Sequence, residues 1–328
     1  MDIELSNQHH LQPTEADGNP LPDDDSPFIE ANTISSSLEE IAENHIIPVF
    51  VKDNEPLISH AEFIERARGI CHHVFEGETI LEPNVRISHP VKGRIPSAKG
   101  KPADQLEEHE KTLYYERLAF VIQIPSITNQ IQGDSLSLTV GGVKAYNLDN
   151  MNSKKGSLEH FKICIGFINK ICTNLCIWGK GFSETLEVTS ARELEGRIYN
   201  LITEFDIDSC IKELEKYNNF ELTEEQFAQL VGRARLYQYL PSKQKKQLPE
   251  LSLNDTQIAT VAKEYYRNDH FGGRSDGSIN LWDLYNLFTG ANKSSYIDTF
   301  LDRSVNATQF TAHIAKALEE DTDFWFLN

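Results

Sequence analysis

The 328-residue sequence has no uninterrupted apolar run of the ~18 residues that a membrane-spanning helix needs. Its longest apolar stretch, residues 161–178, is interrupted by polar side chains, among them Lys162, Asn169, Lys170 and Asn174. The first residues also lack the basic segment and the apolar segment of a secretory signal peptide. We therefore expect a cytoplasmic protein that makes no contact with membranes.

Cysteine is scarce, with five residues in the chain, and no two of them form a CxxC pair. The odd number, together with the missing export signal, predicts reduced thiols. Cys164, Cys172 and Cys176 lie in the apolar stretch, but their spacing does not match the common zinc patterns. An apolar strand would also raise the pKa of a thiol and so oppose its use as a nucleophile. The sequence thus predicts no metal, no cofactor and no catalytic residue, with a cryptic metalloprotein at these cysteines as an alternative.

Positive charge is missing from the first 45 residues, which hold 11 Asp or Glu and no Lys or Arg. Apolar residues are also few there, so we predict that residues 1–44 form a disordered acidic tail. The formal charge of the chain is −19, and leaving out those 11 acids gives −8 for residues 46–328. Such a surface does not attract nucleic acid over long distances, so any contact would depend on local basic segments.

The middle of the chain is rich in patterns that indicate strands. Apolar runs and alternation of apolar with polar residues predict strands in four segments: 45–52, 118–127, 135–148 and 161–178. Pro125 is expected to end the second of these. We therefore predict an α+β fold in which a largely antiparallel central sheet occupies residues 45–189.

Helical patterns dominate the C-terminal half. Capping-box spacings, such as Ser190 with Glu193, begin five predicted helices: 59–75, 190–204, 223–240, 254–267 and 306–319. An acidic segment, residues 104–117, is also predicted to be helical. The helical region, residues 190–328, is expected to pack on the sheet as one unit with it.

Basic residues are concentrated in three segments. The first is a loop with Gly and Pro at 85–103, the second is a polar loop at 149–157, and the third alternates bases with tyrosines at 233–246. Proteins that bind single strands combine basic grooves with stacking aromatics in this way. The candidate contact residues are Lys92, Arg94, Lys99, Lys101, Lys154, Lys155, Arg233, Arg235, Lys243, Lys245 and Lys246. The alternative is that the lysines lie in solvated loops and the tyrosines lie in a core.

Two segments match known motifs only in part, one a calcium-binding loop and the other a phosphate-binding loop. RSDGSINLWD (274–283) has part of a calcium loop, but Gly272 and Arg274 stand where the first two ligands belong. FTGANKSS (288–295) places Lys293 before a serine, but Asn292 replaces the required glycine. The sequence therefore argues against a calcium loop and against a phosphate loop.

Six longer motifs are distinctive: SHPVKGRIP (88–96), YYERLAF (114–120), LTVGGVKAYNL (138–148), HFKICIGFINKICTNLC (160–176), GRARLYQYLP (232–241) and INLWDLYNLFTGANKSSYIDTFLDRSVNATQF (279–310). They resemble the domain-of-unknown-function family numbered thirty-eight seventy-one, an uncharacterised family of Bacteroidales that accompanies mobile elements such as conjugative transposons. The resemblance runs from about residue 45 to the end and leaves the acidic tail outside. The segments Cys172–Asn174 and Trp282–Asn286 also resemble, more loosely, phage- or plasmid-type proteins of unknown function.

The resemblance implies a biological context and no catalytic residue. The leading hypothesis is a non-enzymatic accessory protein of a mobile genetic element that binds single-stranded nucleic acid, or a replication or transfer protein. A protein-interaction module without nucleic-acid binding, using the helical half, is the alternative from another class. The sequence leaves the oligomeric state open, and it favours a non-enzymatic role without excluding an enzyme.

Overall fold

The computed structural model describes residues 27–44, 58–98, 100–149 and 158–328. The strand predicted at 45–52 lies outside these residues. Among the described residues, no helix is both long enough and apolar enough to cross a membrane.

The strands of the described chain are β1 (Thr33–Ser36), β2 (Asn84–Ser88), β3 (Pro90–Arg94), β4 (Lys111–Tyr115), β5 (Arg117–Ile131), β6 (Asp134–Ala145), β7 (Glu159–Asn169), β8 (Leu175–Cys176), β9 (Phe182–Val188), β10 (Glu221–Leu222) and β11 (Ile279–Asn280). The helices are α1 (Leu38–Asn44), α2 (His60–Val74), α3 (Tyr146–Asp149), α4 (Ala191–Thr203), α5 (Ile207–Glu215), α6 (Glu224–Tyr237), α7 (Ser242–Lys245), α8 (Asp255–Arg267), α9 (Leu281–Asn292) and α10 (Ile297–Glu319).

The main sheet is antiparallel throughout, as the sequence predicts. Its strand order is β1-β2-β5-β6-β7-β8, and β9 also pairs with β7. The long β5–β6 hairpin turns at Gln132 and Gly133, whose φ angles are 53° and 89°. Two successive positive φ angles are typical of the type I′ turn that matches the twist of a hairpin. The fold is therefore α+β, with a central antiparallel sheet and a helical C-terminal half.

Pro125 does not end a strand, because β5 continues past it to Ile131. The pairing of β5 with β6 shifts register between Ile124 and Thr128, and the irregularity accommodates the missing N–H of the proline. The predicted end of the strand at this position is therefore wrong.

Strands β3 and β4 form a separate two-stranded ribbon, here called the arm. A Cβ on Gly93 would lie 2.6 Å from Oγ1 of Thr112 across this pair, so a larger residue there would require that hydroxyl to rotate away. Residues 104–117, predicted to be helical, instead form two short 3-10 turns followed by β4. Pairing with β3 outweighs the helix propensity of the Glu-rich segment.

Helices cover both faces of the sheet. On one face, Phe63 of α2 packs edge-on against Phe120 and Phe161, with ring centroids 5.1 Å and 4.8 Å apart. A side chain on Gly142 would collide with the Phe63 ring at 2.6 Å, which explains one of the two glycines in β6. The alternate residues of the strands, such as Val121, face the other layer, as the two-residue period of a strand requires.

The second face is covered by α10 and by the N-terminal segment. Phe28 and Ile29 are buried there, and the ring centroid of Phe28 lies 6.0 Å from that of Phe300. The backbone N–H of Glu30 donates to the carbonyl of Lys293. The prediction of disorder over residues 1–44 is therefore wrong for 27–44, because two buried apolar side chains anchor the segment. Residues 1–26 lie outside the described chain.

The helical half follows its caps closely, with one exception. Ser190, Thr223 and Asn254 each accept a hydrogen bond from the backbone three residues on, as predicted. Asn306 does not begin the last helix, because α10 runs unbroken from Ile297 to Glu319. The Asn306 amide instead bonds the Glu250 carbonyl and the Ser252 N–H of a neighbouring connection.

The apolar stretch at 161–178 is the core that its composition predicts. It forms β7, a turn in which Thr173 has a φ of 55°, and β8. Cys164 and Cys176 are fully buried, and burial raises the pKa of the Cys164 thiol to about 12. In the described chain, no group of three or more His, Cys, Asp or Glu side chains is arranged to hold a metal ion.

Candidate nucleic-acid interface

Helix α6 ends in a corner that exposes apolar and aromatic side chains. Tyr237, the last residue of the helix, is buried against Phe326, whereas Leu236 is 58% exposed and Tyr239, two residues past the helix, is 81% exposed. Tyr239 is the most exposed large apolar or aromatic side chain of the described residues. Pro241 follows and prevents the helix from continuing, because a proline cannot extend the hydrogen-bond ladder.

Two lysines stand free in the same corner. Lys243 and Lys246 are exposed, and their side-chain ammonium groups have no hydrogen-bond or ion-pair partner among the described residues. Between them, Lys245 donates to the Gln238 carbonyl at 2.9 Å and so fixes α7 against the end of α6. We name this surface the α6–α7 corner, which consists of Leu236, Tyr239, Lys243 and Lys246.

The other predicted cations of this segment have intramolecular partners. Arg235 binds both carboxylate oxygens of Asp255, at 2.7 Å and 3.1 Å. This contact raises the pKa of the Arg235 guanidinium. Arg233 donates to the Asn328 carbonyl and lies over the Trp325 ring at 4.9 Å. Both arginines therefore hold neighbouring elements together, and they are less available to a ligand.

The arm carries the first predicted basic segment, and its cations are unequal. Lys92 is exposed and unpartnered within the described chain. Arg94 donates to the Lys101 carbonyl, and Lys101 binds Glu110 at 2.7 Å. Lys99, Lys154 and Lys155 lie outside the described residues. No hydrogen bond or ion pair between described residues joins the arm to the α6–α7 corner.

A buried polar network that the sequence does not predict joins the sheet to α9. Asp134 follows the β5–β6 turn and accepts hydrogen bonds from Trp282 Nε1 at 2.8 Å and from Asn169 Nδ2 at 3.2 Å. Asn286, one turn further along α9, accepts from Asn174 through its backbone carbonyl at 2.9 Å. The contacts between the sheet and α9 join residues more than 100 positions apart in sequence, so only the folded chain reveals them.

Two further titratable groups lie at the open end of this network. His270 Nε2 is 2.5 Å from Asp134 Oδ1. Asp283 is buried at the start of α9, and desolvation raises the pKa of its carboxyl from 3.8 to about 6. The Arg274 charge opposes this rise, and the Asp134 charge adds to it. Asp283 therefore holds a charge at neutral pH in a place that disfavours it.

We expect Asp283→Asn to stabilise the protein at pH 7 and to have little effect below pH 4. Because the folded pKa lies above the unfolded value, the folded state binds more protons between these pKa values, and stability falls as the pH rises from about 4 to 6. The variant removes this loss, which amounts to about 3 kcal/mol. Urea denaturation of both proteins at several pH values measures it. His270 is present in both, so equal differences at pH 4 and pH 7 would contradict the assignment to Asp283.

Cys172 and Asn174 also belong to this network and do not form a separate chemical centre. Cys172 Sγ lies 3.8 Å from Asn286 Oδ1, and burial raises the pKa of its thiol to about 12. A thiol of this kind is protonated at neutral pH and is a poor nucleophile or metal ligand.

A family model described as "Domain of unknown function, B. Theta Gene description" matches residues 17–327. The match begins well before residue 45, so the expectation that the whole acidic segment lies outside the family is wrong. Comparison with curated proteins gives no match, and comparison with solved structures gives none either. The chain belongs to the family of unknown function DUF3871.

Proposed function

We propose that this chain is a cytoplasmic, non-enzymatic accessory protein that binds single-stranded nucleic acid through the α6–α7 corner. The observation that carries the proposal is Tyr239, which is 81% exposed and stands in one short segment with two unpartnered lysines. An unpaired base stacks on an exposed ring, and lysines beside it bind the phosphates on either side. A duplex hides its base faces, so the corner favours a single strand.

The other predicted contact residues differ in how available they are to a nucleic acid. Lys92 is free to reach a phosphate, whereas Arg94 and Lys101 would first have to leave their partners in the arm. Arg233, Arg235 and Lys245 support the corner by holding its elements in place. Lys99, Lys154 and Lys155 are proposed as additional contacts from outside the described chain.

The chain offers a matched control for the ring. Tyr266 is 75% exposed, much like Tyr239, but its hydroxyl donates to Glu224 Oε1 at 3.2 Å. Its setting is therefore acidic, and phosphate is repelled from it. A difference in oligonucleotide binding between Tyr239→Ala and Tyr266→Ala would therefore reflect the charges around each ring, and not the general effect of removing an exposed ring.

We expect Tyr239→Ala to weaken binding of a single-stranded oligonucleotide about tenfold at ~50 mM salt, since stacking contributes roughly 1–3 kcal/mol per base. Tyr266→Ala should bind as the wild type does. Replacing both Lys243 and Lys246 with alanine should reduce the salt dependence of log Kobs by about 1.4, the value for two phosphate contacts on a single strand. Gel shifts of the full chain over a salt series measure all three.

Absence of binding by the wild type to either single- or double-stranded DNA at low salt would overturn the proposal. Equal losses for Tyr239→Ala and Tyr266→Ala would remove the corner from it, even if the protein binds DNA.

A protein partner at the same corner is the second candidate, and Leu236 favours it. An aliphatic side chain that is 58% exposed beside a tyrosine is typical of an interface centre more than of a phosphate groove. Leu236→Ala should then abolish capture of one stoichiometric partner while leaving oligonucleotide binding unchanged. The resemblance to mobile-element proteins of Bacteroidales leads us to propose a replication or transfer protein as that partner.

A further inference from the structure

A cleft of about 170 Å³ lies at the foot of the arm. Its walls come from four places: the segment before β1, the β2–β3 junction, the β4–β5 junction and the start of α10. Pockets for drug-sized ligands are roughly 300–1,000 Å³, so this cleft has room for one small ring system and no more.

Tyr296 stands at the cleft and is 62% exposed. It precedes α10, and its side chain makes no capping hydrogen bond to that helix. The Tyr296 ring therefore lies largely in solvent, where a ligand can reach its face. Ile297 beside it is buried and also lines the cleft, so an aromatic face and an apolar wall meet at this point.

Arg117 and Glu116 supply hydrogen-bonding groups to the cleft. Arg117 Nε is buried and donates no hydrogen bond within the described chain, with the nearest charge on Asp298 Oδ2 at 3.7 Å. Its Nη1 lies 3.5 Å from the Glu116 carboxylate. One cation thus faces two carboxylates, and the cleft has no excess positive charge that would hold a phosphate. A neutral ring that offers both N–H donors and acceptors suits these groups.

We propose that this cleft binds one nucleobase that carries an exocyclic amino group. Tyr296 stacks on the base, the Glu116 carboxylate accepts from the amino group, and the guanidinium of Arg117, whose side chain is 30% exposed, donates to an adjacent ring acceptor. This site would add base recognition to the nucleic-acid binding proposed above. It rests on that proposed function in one respect, namely that the base belongs to a nucleic-acid strand. The site is separate from the α6–α7 corner. The corner stacks a base and binds phosphates without reading the edge of the base, whereas the cleft distinguishes bases by their hydrogen-bonding edges.

Uncharged nucleosides are the decisive probes, because they carry no phosphate. We expect full-length protein to bind adenosine and cytidine in equilibrium dialysis at about 1 mM ligand, and to bind uridine more weakly because it lacks the amino group. Binding should be insensitive to salt. Tyr296→Ala should weaken adenosine binding at least about fivefold, and Tyr296→Phe should retain it, because only the ring face is used.

Tyr266→Ala serves as the control, since it removes a tyrosine that is 75% exposed and belongs to neither proposed binding surface, and it should leave nucleoside binding unchanged. The proposal is overturned if adenosine and uridine bind equally, if neither binds, or if Tyr296→Ala binds as the wild type does. Oligonucleotide binding distinguishes a base within a strand from a free nucleoside as the natural ligand. If the cleft takes a base from a strand, Tyr296→Ala should weaken oligonucleotide binding too. Failure of nucleoside binding with intact oligonucleotide binding would sink this site alone, and leave the corner standing.

Discussion

Replacing Lys144 with methionine is expected to destabilise the protein by about 3–5 kcal/mol. The Lys144 side chain is fully buried, and its ammonium lies 2.7 Å from Glu159 Oε2 and 3.3 Å from Asp149 Oδ2. It also lies 3.9 Å from the centre of the Phe161 ring. Removing the cation leaves two buried carboxylates facing each other, and their mutual repulsion and desolvation account for the size of the loss.

Urea denaturation followed by circular dichroism measures this change. Lys111→Met is the matched control, because Lys111 is half-exposed, binds only Glu108 and should change stability by less than about 1 kcal/mol. Adding Asp149→Asn and Glu159→Gln to Lys144→Met removes the stranded charges and should recover most of the loss. A loss below about 1 kcal/mol for Lys144→Met would mean that the carboxylates are not held as charges in the fold.

The structural reason for this buried charge lies in the connections that it holds. Asp149 ends α3 and Glu159 begins β7, so one ammonium joins the two ends of the connection between them. Glu159 also accepts the backbone N–H of Ile58, next to the start of α2. Lys144 therefore links three segments where the inner strands β6 and β7 meet their connection, and its sequence neighbours do not indicate this role.

Local patterns predict the parts of the fold that local physics controls. A cap such as Thr223 with Gln226 depends only on a spacing of three positions in the sequence, and the structure contains that reciprocal pair. The β5–β6 hairpin likewise follows from a Gly turn between apolar strands. The fold class was accessible for this reason, because it depends on the sum of such short-range signals.

Tertiary contacts decide the elements that sequence patterns miss. Residues 104–117 have a helical composition, but β4 forms because β3 lies beside it. Asn306 is of a residue type that often caps helices, but its side-chain amide forms hydrogen bonds with the backbone of residues 250–252. Phe28 and Ile29 are too few to predict order, and they become ordered only because α10 offers a surface.

The candidate sites divide in the same way. The alternation of bases with Tyr237 and Tyr239 marks the α6–α7 corner in the sequence, but burial decides that only the second tyrosine is available. Which cations are free cannot be predicted either, because Asp255 is the partner of Arg235 and lies on a different helix. The cleft at Tyr296 and the Asp134 network are formed by segments that are distant in sequence, so no short motif predicts them.

Replacing Trp282 with alanine is expected to cost about 4–6 kcal/mol, and replacement with phenylalanine about 2 kcal/mol. Trp282 is fully buried, and alanine would leave a cavity between the sheet and α9. Phenylalanine fills most of that space but removes the Nε1–H that donates to Asp134 at 2.8 Å. The smaller loss therefore measures the hydrogen bond to a buried carboxylate, and the difference measures packing.

Asp134→Asn separates these contributions further. Because asparagine keeps an acceptor but carries no charge, Trp282→Phe should cost less when it is combined with Asp134→Asn, with a coupling of about 1 kcal/mol in a double-mutant cycle. Trp282 joins the sheet to the helical half, so Trp282→Ala should lower one shared transition when unfolding is followed by far-ultraviolet circular dichroism and by fluorescence of the remaining tryptophans. Two separate transitions would show instead that the sheet and the helical half unfold independently, and that the Trp282–Asp134 contact does not couple them.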